Sequence, residues 1–293
     1  MQGKKQTEKE TKVGSITYYS KEQVECPVCN TKFKREELHS GGGRLIAGNL
    51  TDELRRLYEP SVKYGEVYPT IYNLTVCPKC LYTAFPQDFS IPSKVTIEKL
   101  FENIEARYTS IKRLFHNVDF SKSRGLNEGA ASYYLSILCY ELFEEKFSPT
   151  IKQAICAIRA AWLFDDLGKK FPEENYKYVS DVFYQKATFL YRRAVELESS
   201  GKEIIAGLKS FGPDVDKNYG YDGIIYLAAL LEYKYGKKTD AENRQKRMEN
   251  QKFALAKMFG LGKSSKSKPG PLLEAARDLY DALKVELKET EED

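Results

Sequence analysis

Two short cysteine pairs, Cys26-Pro27-Val28-Cys29 and Cys77-Pro78-Lys79-Cys80, constrain this 293-residue chain more than any other feature. A Cys-x-x-Cys turn aims two sulfurs at one point, and two such turns supply the four thiolates that tetrahedral zinc prefers. Proline after the first cysteine stiffens each turn, because its ring restricts φ. Forty-seven residues separate the pairs, against a usual gap of roughly 15–20. Closing a loop of that length costs roughly 3–4 kcal/mol, since the entropic term grows only logarithmically. Structural zinc contributes on the order of 10–16 kcal/mol, so the metal wins. The spacing predicts one structural zinc ion per chain held by Cys26, Cys29, Cys77 and Cys80, with no position left open for a substrate.

Other chemistry has less support. A thioredoxin-like redox pair needs a βαβ context, and neither turn sits in one. His39 is an alternative fourth ligand. His39 and His116 are the only histidines, so imidazole acid–base catalysis has few candidates. Cys139 and Cys156 fall on apolar helical stripes and read as buried, inert core thiols. Six cysteines in all are too few for a disulfide scaffold. The Ser40-Gly-Gly-Gly-Arg44 run lacks the Lys-Ser/Thr ending of a phosphate-binding loop and reads as a surface loop. Adjacent acids such as Asp165-Asp166 and Glu144-Glu145 do not face one another on a helix, so no acid–base pair is supported.

The chain changes character along its length. Residues 1–14 are polar and aperiodic and predict a disordered N-terminus. Residues 15–92 are rich in Gly, Pro, Tyr and Cys, with short strand-like runs, and predict a small zinc-ribbon-like module. A short helix is expected at residues 52–57, with Thr51 as its cap. Tyr58, Tyr64, Tyr68, Tyr72 and Tyr82 crowd this module and read as its core around the metal.

From residue 93 apolar residues recur at spacings of three and four, the signature of amphipathic helices. Ile97 through Phe115 predict one helix, and Tyr134 through Leu142 a second. Ser148-Pro149 is a cap followed by a first-turn proline, leading a third helix toward Trp162. Pro172 opens a fourth. Further helices are expected at 223–235 and 240–259, the latter with a capping box at Thr239–Glu242. Residues 261–270 read as a flexible linker, and 271–293 as a C-terminal helix with an acidic tail. The expectation is a mostly α fold: a helical-hairpin, tetratricopeptide-like array over 93–260, preceded by the module.

Charge refines the functional classes. The overall balance of +4 does not announce a nucleic-acid binder. Lys237–Lys268 holds ten Lys or Arg against three Asp or Glu, whereas 269–293 holds three against eight. These two segments are expected to attract each other or to serve separate partners. No apolar run reaches the roughly 18–20 residues of a membrane helix, and the first residues do not form a signal peptide, so a cytoplasmic protein is expected.

The stretch Cys26-Pro-Val-Cys29-Asn-Thr-Lys-Phe33, then Arg44, Tyr58, Pro60, Pro69 and Tyr72, then Val76-Cys-Pro-Lys-Cys-Leu-Tyr-Thr-Ala84 and Asp88-Phe89, resembles the bacterial domain-of-unknown-function family 2225. The resemblance implies a split zinc ribbon followed by tetratricopeptide-like helices, bacterial cytoplasmic origin and metal binding by Cys26, Cys29, Cys77 and Cys80. It implies no activity. Such turns usually place glycine after the second cysteine; here Asn30 and Leu81 stand there. The leading expectation is a non-enzymatic protein–protein interaction scaffold or adaptor that binds protein partners or itself, as a free chain or as a subunit of a larger bacterial assembly. Nucleic-acid binding through the module or the basic stretch is the second reading, and a redox or hydrolytic enzyme the third.

Overall fold

The computed structural model describes residues 14–39, 41–115, 117–205, 208, 212, 214, 217–239, 241–259 and 269–292. The expected disordered terminus, apart from Gly14, and the expected linker, apart from 269 and 270, lie outside these residues. So do His116, Ser40 of the glycine loop, and Asp240 of the expected capping box.

The N-terminal part consists of three antiparallel two-stranded ribbons. Strands β1 (Thr17–Glu25) and β2 (Lys32–Leu38) flank the first cysteine turn, and β5 (Thr75–Val76) and β6 (Thr83–Ala84) flank the second. Between them, β3 (Ile46–Leu50) pairs with β4 (Arg56–Glu59), and a 3-10 turn spans Pro69–Tyr72. The helix expected at 52–57 does not form. Thr51 does accept the Arg55 amide on its hydroxyl at 3.1 Å, but the chain then reverses into β4. Leu54 takes a left-handed φ of 59° and is buried, so tertiary burial of the turn overrides the local start signal.

Eight helices follow among the described residues, and the fold is mostly α. They are α1 (Lys94–Glu102), α2 (Ile104–Leu114), α3 (Leu126–Tyr140), α4 (Pro149–Lys170), α5 (Tyr176–Ser199), α6 (Gly220–Tyr235), α7 (Ala241–Phe259) and α8 (Gly270–Glu292). The single helix expected over 97–115 is divided at Asn103, whose side-chain amide bonds the Lys99 carbonyl and competes with the regular ladder. The fourth expected helix begins at Tyr176 rather than Pro172, which lies in the preceding turn.

The start of α4 also differs from the expectation. Ser148 adopts a left-handed φ of 47° and donates its hydroxyl to the Ile204 carbonyl instead of capping the helix. Glu203 does the capping, accepting the Thr150 amide at 3.1 Å and the Thr150 hydroxyl at 2.6 Å. A carboxylate suits the positive end of a helix.

Successive helices run antiparallel. Tyr133, Ser136 and Ile137 of α3 meet Arg159, Cys156 and Gln153 of α4 in reverse order. Asp165 and Ala161 of α4 likewise meet Lys177 and Ser180 of α5. Between α7 and α8, Arg244 reaches Glu286 at 2.5 Å, while Phe259 meets the Tyr280 ring. The described parts of the basic and acidic C-terminal segments thus pack as a helical hairpin that carries the Arg244–Glu286 pair.

The array and the N-terminal ribbons share one hydrophobic core, which includes Val28 and Val76 of the ribbons and Trp162, Leu231 and Leu283 of the helices. One close approach is at Gly129 of α3, where a Cβ would lie 2.4 Å from Ile71 of the 3-10 turn. One turn later on the same helix, the Tyr133 hydroxyl donates to the Thr70 carbonyl at 2.6 Å.

Candidate metal centre

The two cysteine turns are built alike. The Cys26 carbonyl accepts the Asn30 amide at 2.9 Å, and the Cys77 carbonyl accepts the Leu81 amide at 3.0 Å. The Cys26 amide donates to the Thr31 carbonyl and the Cys77 amide to the Tyr82 carbonyl, both at 2.9 Å. Asn30 and Leu81 share a left-handed φ of 57°. Asparagine visits that region readily, whereas leucine there costs roughly 1–2 kcal/mol. Burial of the Leu81 side chain in the common core offsets that strain.

The ribbons bring the turns together. Cys26 Sγ lies 3.6 Å from Cys80 Sγ, and Cys29 Sγ lies 3.6 Å from Cys77 Sγ. All four sulfurs fall within 4.8 Å of one another. A tetrahedron with metal–sulfur bonds of about 2.3 Å has edges of about 3.8 Å, so the donor set fits a single thiolate-bound metal ion. Cys26, Cys77 and Cys80 are buried and Cys29 is partly so. Hydrogen bonding among the crowded sulfurs holds Cys77 well below the ordinary thiol range and pushes Cys26 and Cys80 above it. His39 does not join the group; its ring packs on Tyr18 at 4.6 Å.

The surrounding residues hold the turns. Arg107 of α2, nearly inaccessible, donates from Nε and Nη2 to the Cys80 carbonyl at 3.1 and 2.9 Å, and from Nη1 to the Leu100 carbonyl at 2.8 Å. The adjacent Tyr108 hydroxyl donates to the Lys79 carbonyl. Four thiolates around a divalent ion leave a net charge of about −2, and the guanidinium places a positive charge beside it. Sequence reasoning missed Arg107. Its signal is a basic residue within an apolar stripe, between Ile104 and Ile111.

Asp88-Phe89 closes the module. Asp88 Oδ2 accepts the Tyr140 hydroxyl at 2.6 Å and pairs with Lys152 Nζ at 2.7 Å, with both charged side chains buried. The Phe89 ring stacks on Tyr82 at 4.7 Å and meets Phe33 edge-on at 5.9 Å. Tyr82 and Tyr64 are buried, as expected of the module's tyrosines, whereas Tyr58, Tyr68 and Tyr72 are only partly buried. Cys139 and Cys156 are buried as well. Cys139 Sγ accepts the Thr83 amide, and Cys156 Sγ lies 3.2 Å from the Ser136 hydroxyl. Burial pushes these thiols up to about 11 and about 12.

A bacterial family described as "Uncharacterized protein conserved in bacteria (DUF2225)" matches residues 19–283. The chain belongs to this family. An uncharacterized protein of Borreliella burgdorferi is 46% identical over 275 residues, covering 93% of this chain and 98% of its own length. No solved structure matches.

In this family member, the segment between the cysteine pairs inserts into the helical array. The Glu53 carboxylate receives Trp162 Nε1 of α4 at 2.5 Å, the Tyr184 hydroxyl of α5 at 3.0 Å and the Tyr235 hydroxyl of α6 at 3.2 Å. Lys234 Nζ stands 3.5 Å away. Arg55 pairs with Asp166 of α4, and its guanidinium lies 5.5 Å from the Trp162 ring centroid. The Tyr226 hydroxyl donates to the Asp52 carbonyl at 2.7 Å. One turn thus ties three helices to the ribbons that carry the sulfurs.

No helix among the described residues is long and apolar enough to cross a membrane.

Proposed function

We propose that this chain is a non-enzymatic interaction scaffold whose four clustered cysteines bind one structural zinc ion. The observation that carries this reading is the closed sulfur tetrad. Four thiolates saturate a tetrahedral ion and leave no position for substrate or activated water. The residues around the tetrad, Arg107, Tyr108 and Leu81, bind its backbone or fill its core, which is the work of a structural site. Thiolate-bound zinc and two further reduced thiols suit a reducing compartment, and we assign the protein to the cytoplasm.

The scaffold reading rests on the shared core. Zinc, ribbons and helices form one packed body, so a partner meets a pre-organised surface at low ordering cost. The face of α4, α5 and α6 around Glu53 is filled by the chain's own turn. Partners therefore dock elsewhere, on outer helix surfaces such as the one bearing the exposed Tyr178 and Val182 of α5.

Metal analysis of the purified chain tests the site: one zinc per chain is expected, and a folded, metal-free chain overturns it. Cross-linking in the native cell, followed by identification of the attached proteins, tests the scaffold. A defined partner or a self-assembled oligomer is expected, and a strictly solitary monomer overturns it.

A further inference from the structure

Away from the sulfur tetrad, a cleft of about 490 Å³ opens between α5, the end of α6 and α7. Four cations line it, Lys186, Arg192, Lys237 and Arg247, against one lining carboxylate, Glu232, while Glu196 outside the lining lies 3.7 Å from Arg192 Nε. Glu232 is almost wholly buried on the floor. It accepts Arg247 Nε at 2.7 Å and lies 3.9 Å from an Arg192 nitrogen, so its charge is already engaged. Lys186 and Lys237 are exposed at the walls, and among the described residues neither makes an ion pair. Gly236 lets the backbone close over this floor, since a Cβ there would lie 2.6 Å from Glu232 Oε1.

Crowding like charges around a concavity raises the local potential and concentrates anions in it. Glu232 fixes the two arginines, so the floor is pre-organised while the two lysines remain available. At the rim Phe189 is about half exposed, with the Arg192 guanidinium 5.7 Å from its ring centroid. An exposed aromatic face next to unpaired lysines matches a ligand with a planar ring at one end and phosphate at the other. The cavity falls within the roughly 300–1,000 Å³ of small-molecule sites.

We propose that this cleft binds a phosphate ester bearing an aromatic ring, the chemistry of a nucleotide. Lys186 and Lys237 neutralise the phosphates and Phe189 stacks the ring. This assignment is independent of the zinc site and of the scaffold reading.

Calorimetric titration of the zinc-loaded full chain with ATP, with inorganic pyrophosphate, with a short oligothymidylate and with oligoglutamate tests it. ATP is expected to bind, and to bind more weakly as salt rises from about 50 to about 200 mM. The double variant Lys186→Glu/Lys237→Glu is expected to lose affinity by about tenfold or more, with its thermal midpoint retained. A control with the same charge change on the β1–β2 ribbon, Lys21→Glu/Lys34→Glu, is expected to bind as the parent does. Phe189→Ala is expected to weaken ATP while leaving pyrophosphate unchanged. Tighter binding of ATP than of oligothymidylate identifies a free nucleotide; the reverse order identifies a strand end held by the same groups. The proposal is overturned if neither ATP nor pyrophosphate binds at low salt. An equal loss in the control pair, or oligoglutamate displacing ATP at matched charge, overturns it too.

Discussion

Arg107 gives two hydrogen bonds to a single acceptor, the carbonyl oxygen of Cys80, while its third contact holds the end of α1 at Leu100. A buried guanidinium thereby joins the second cysteine turn to the first two helices. Burying such a charge is unfavourable unless it is fully bonded and offset by nearby negative charge. A thiolate-bound ion held by the tetrad would supply that offset.

Arg107→Met should therefore destabilise the protein by about 2–4 kcal/mol, because it orphans two buried carbonyls. Arg107→Lys should recover only part of this, since one ammonium cannot replace a fork of donors. Urea unfolding at saturating zinc gives the stability, and release of zinc to a chromogenic chelator gives the rate. Unchanged stability in Arg107→Met would show that the guanidinium supports neither turn nor helix.

Removing the metal should loosen the ribbons before the helices. Trp162 is the only tryptophan, and it touches Glu53 and Arg55 of the inserted turn. Its fluorescence is expected to shift to the red on chelation, with amide protection lost over residues 15–92 while α4 and α5 stay protected. Cys26→Ala and Cys80→Ala should reproduce that state without chelator. An unshifted Trp162 after complete chelation would mean that the turn holds its place without the ion.

Glu53 couples module and array by a different route. Glu53→Ala strips three donors of their acceptor in a buried site and should cost about 3–5 kcal/mol. Glu53→Gln keeps an oxygen for Trp162 and should lose less. Thermal unfolding of both variants, followed by Trp162 emission, checks the order. Equal stability of Glu53→Ala and the parent chain would place the coupling in Arg55 and Leu54 alone.

The core thiols set an alkaline limit. Burial raises Cys139 to about 11 and Cys156 to about 12, above the ordinary value of 9.0. A raised value means that the folded state keeps its protons longer than the unfolded one. This contribution is intact below about 9 and is lost as pH rises toward 11 and 12, at up to about 1.4 kcal/mol per pH unit for each thiol. Between about pH 9 and 11 the Cys139→Ala/Cys156→Ala variant should lose less of its midpoint than the parent. Parallel declines in the two proteins would assign alkaline loss to other groups.

Much of the local structure was legible in the residues. The two Cys-Pro-x-Cys turns carry their own geometry, so the four thiols that cluster could be named before any fold was known. Apolar spacing of three and four located the stripes of α3, α4, α5 and α8, because a helix face repeats regardless of what it meets. Legibility failed where distant chain segments compete with local signals. Thr51 and the acids after it advertise a helix, yet burial of Glu53 and Leu54 among α4, α5 and α6 turns the chain into a strand. Ser148 advertises a cap, yet Glu203 takes that place.

The sequence alone determined which thiols could cluster and which faces of α4, α5 and α8 are apolar, since both follow from bonded spacing. Only the tertiary structure decided which charges lie inside and who answers them. Arg107 with Cys80, Lys152 with Asp88, and Glu53 with Trp162, Tyr184 and Tyr235 all join elements remote along the chain. Hydrophobic burial is non-directional and names no partner. A buried polar group must find one, and that partner exists only once the elements have packed.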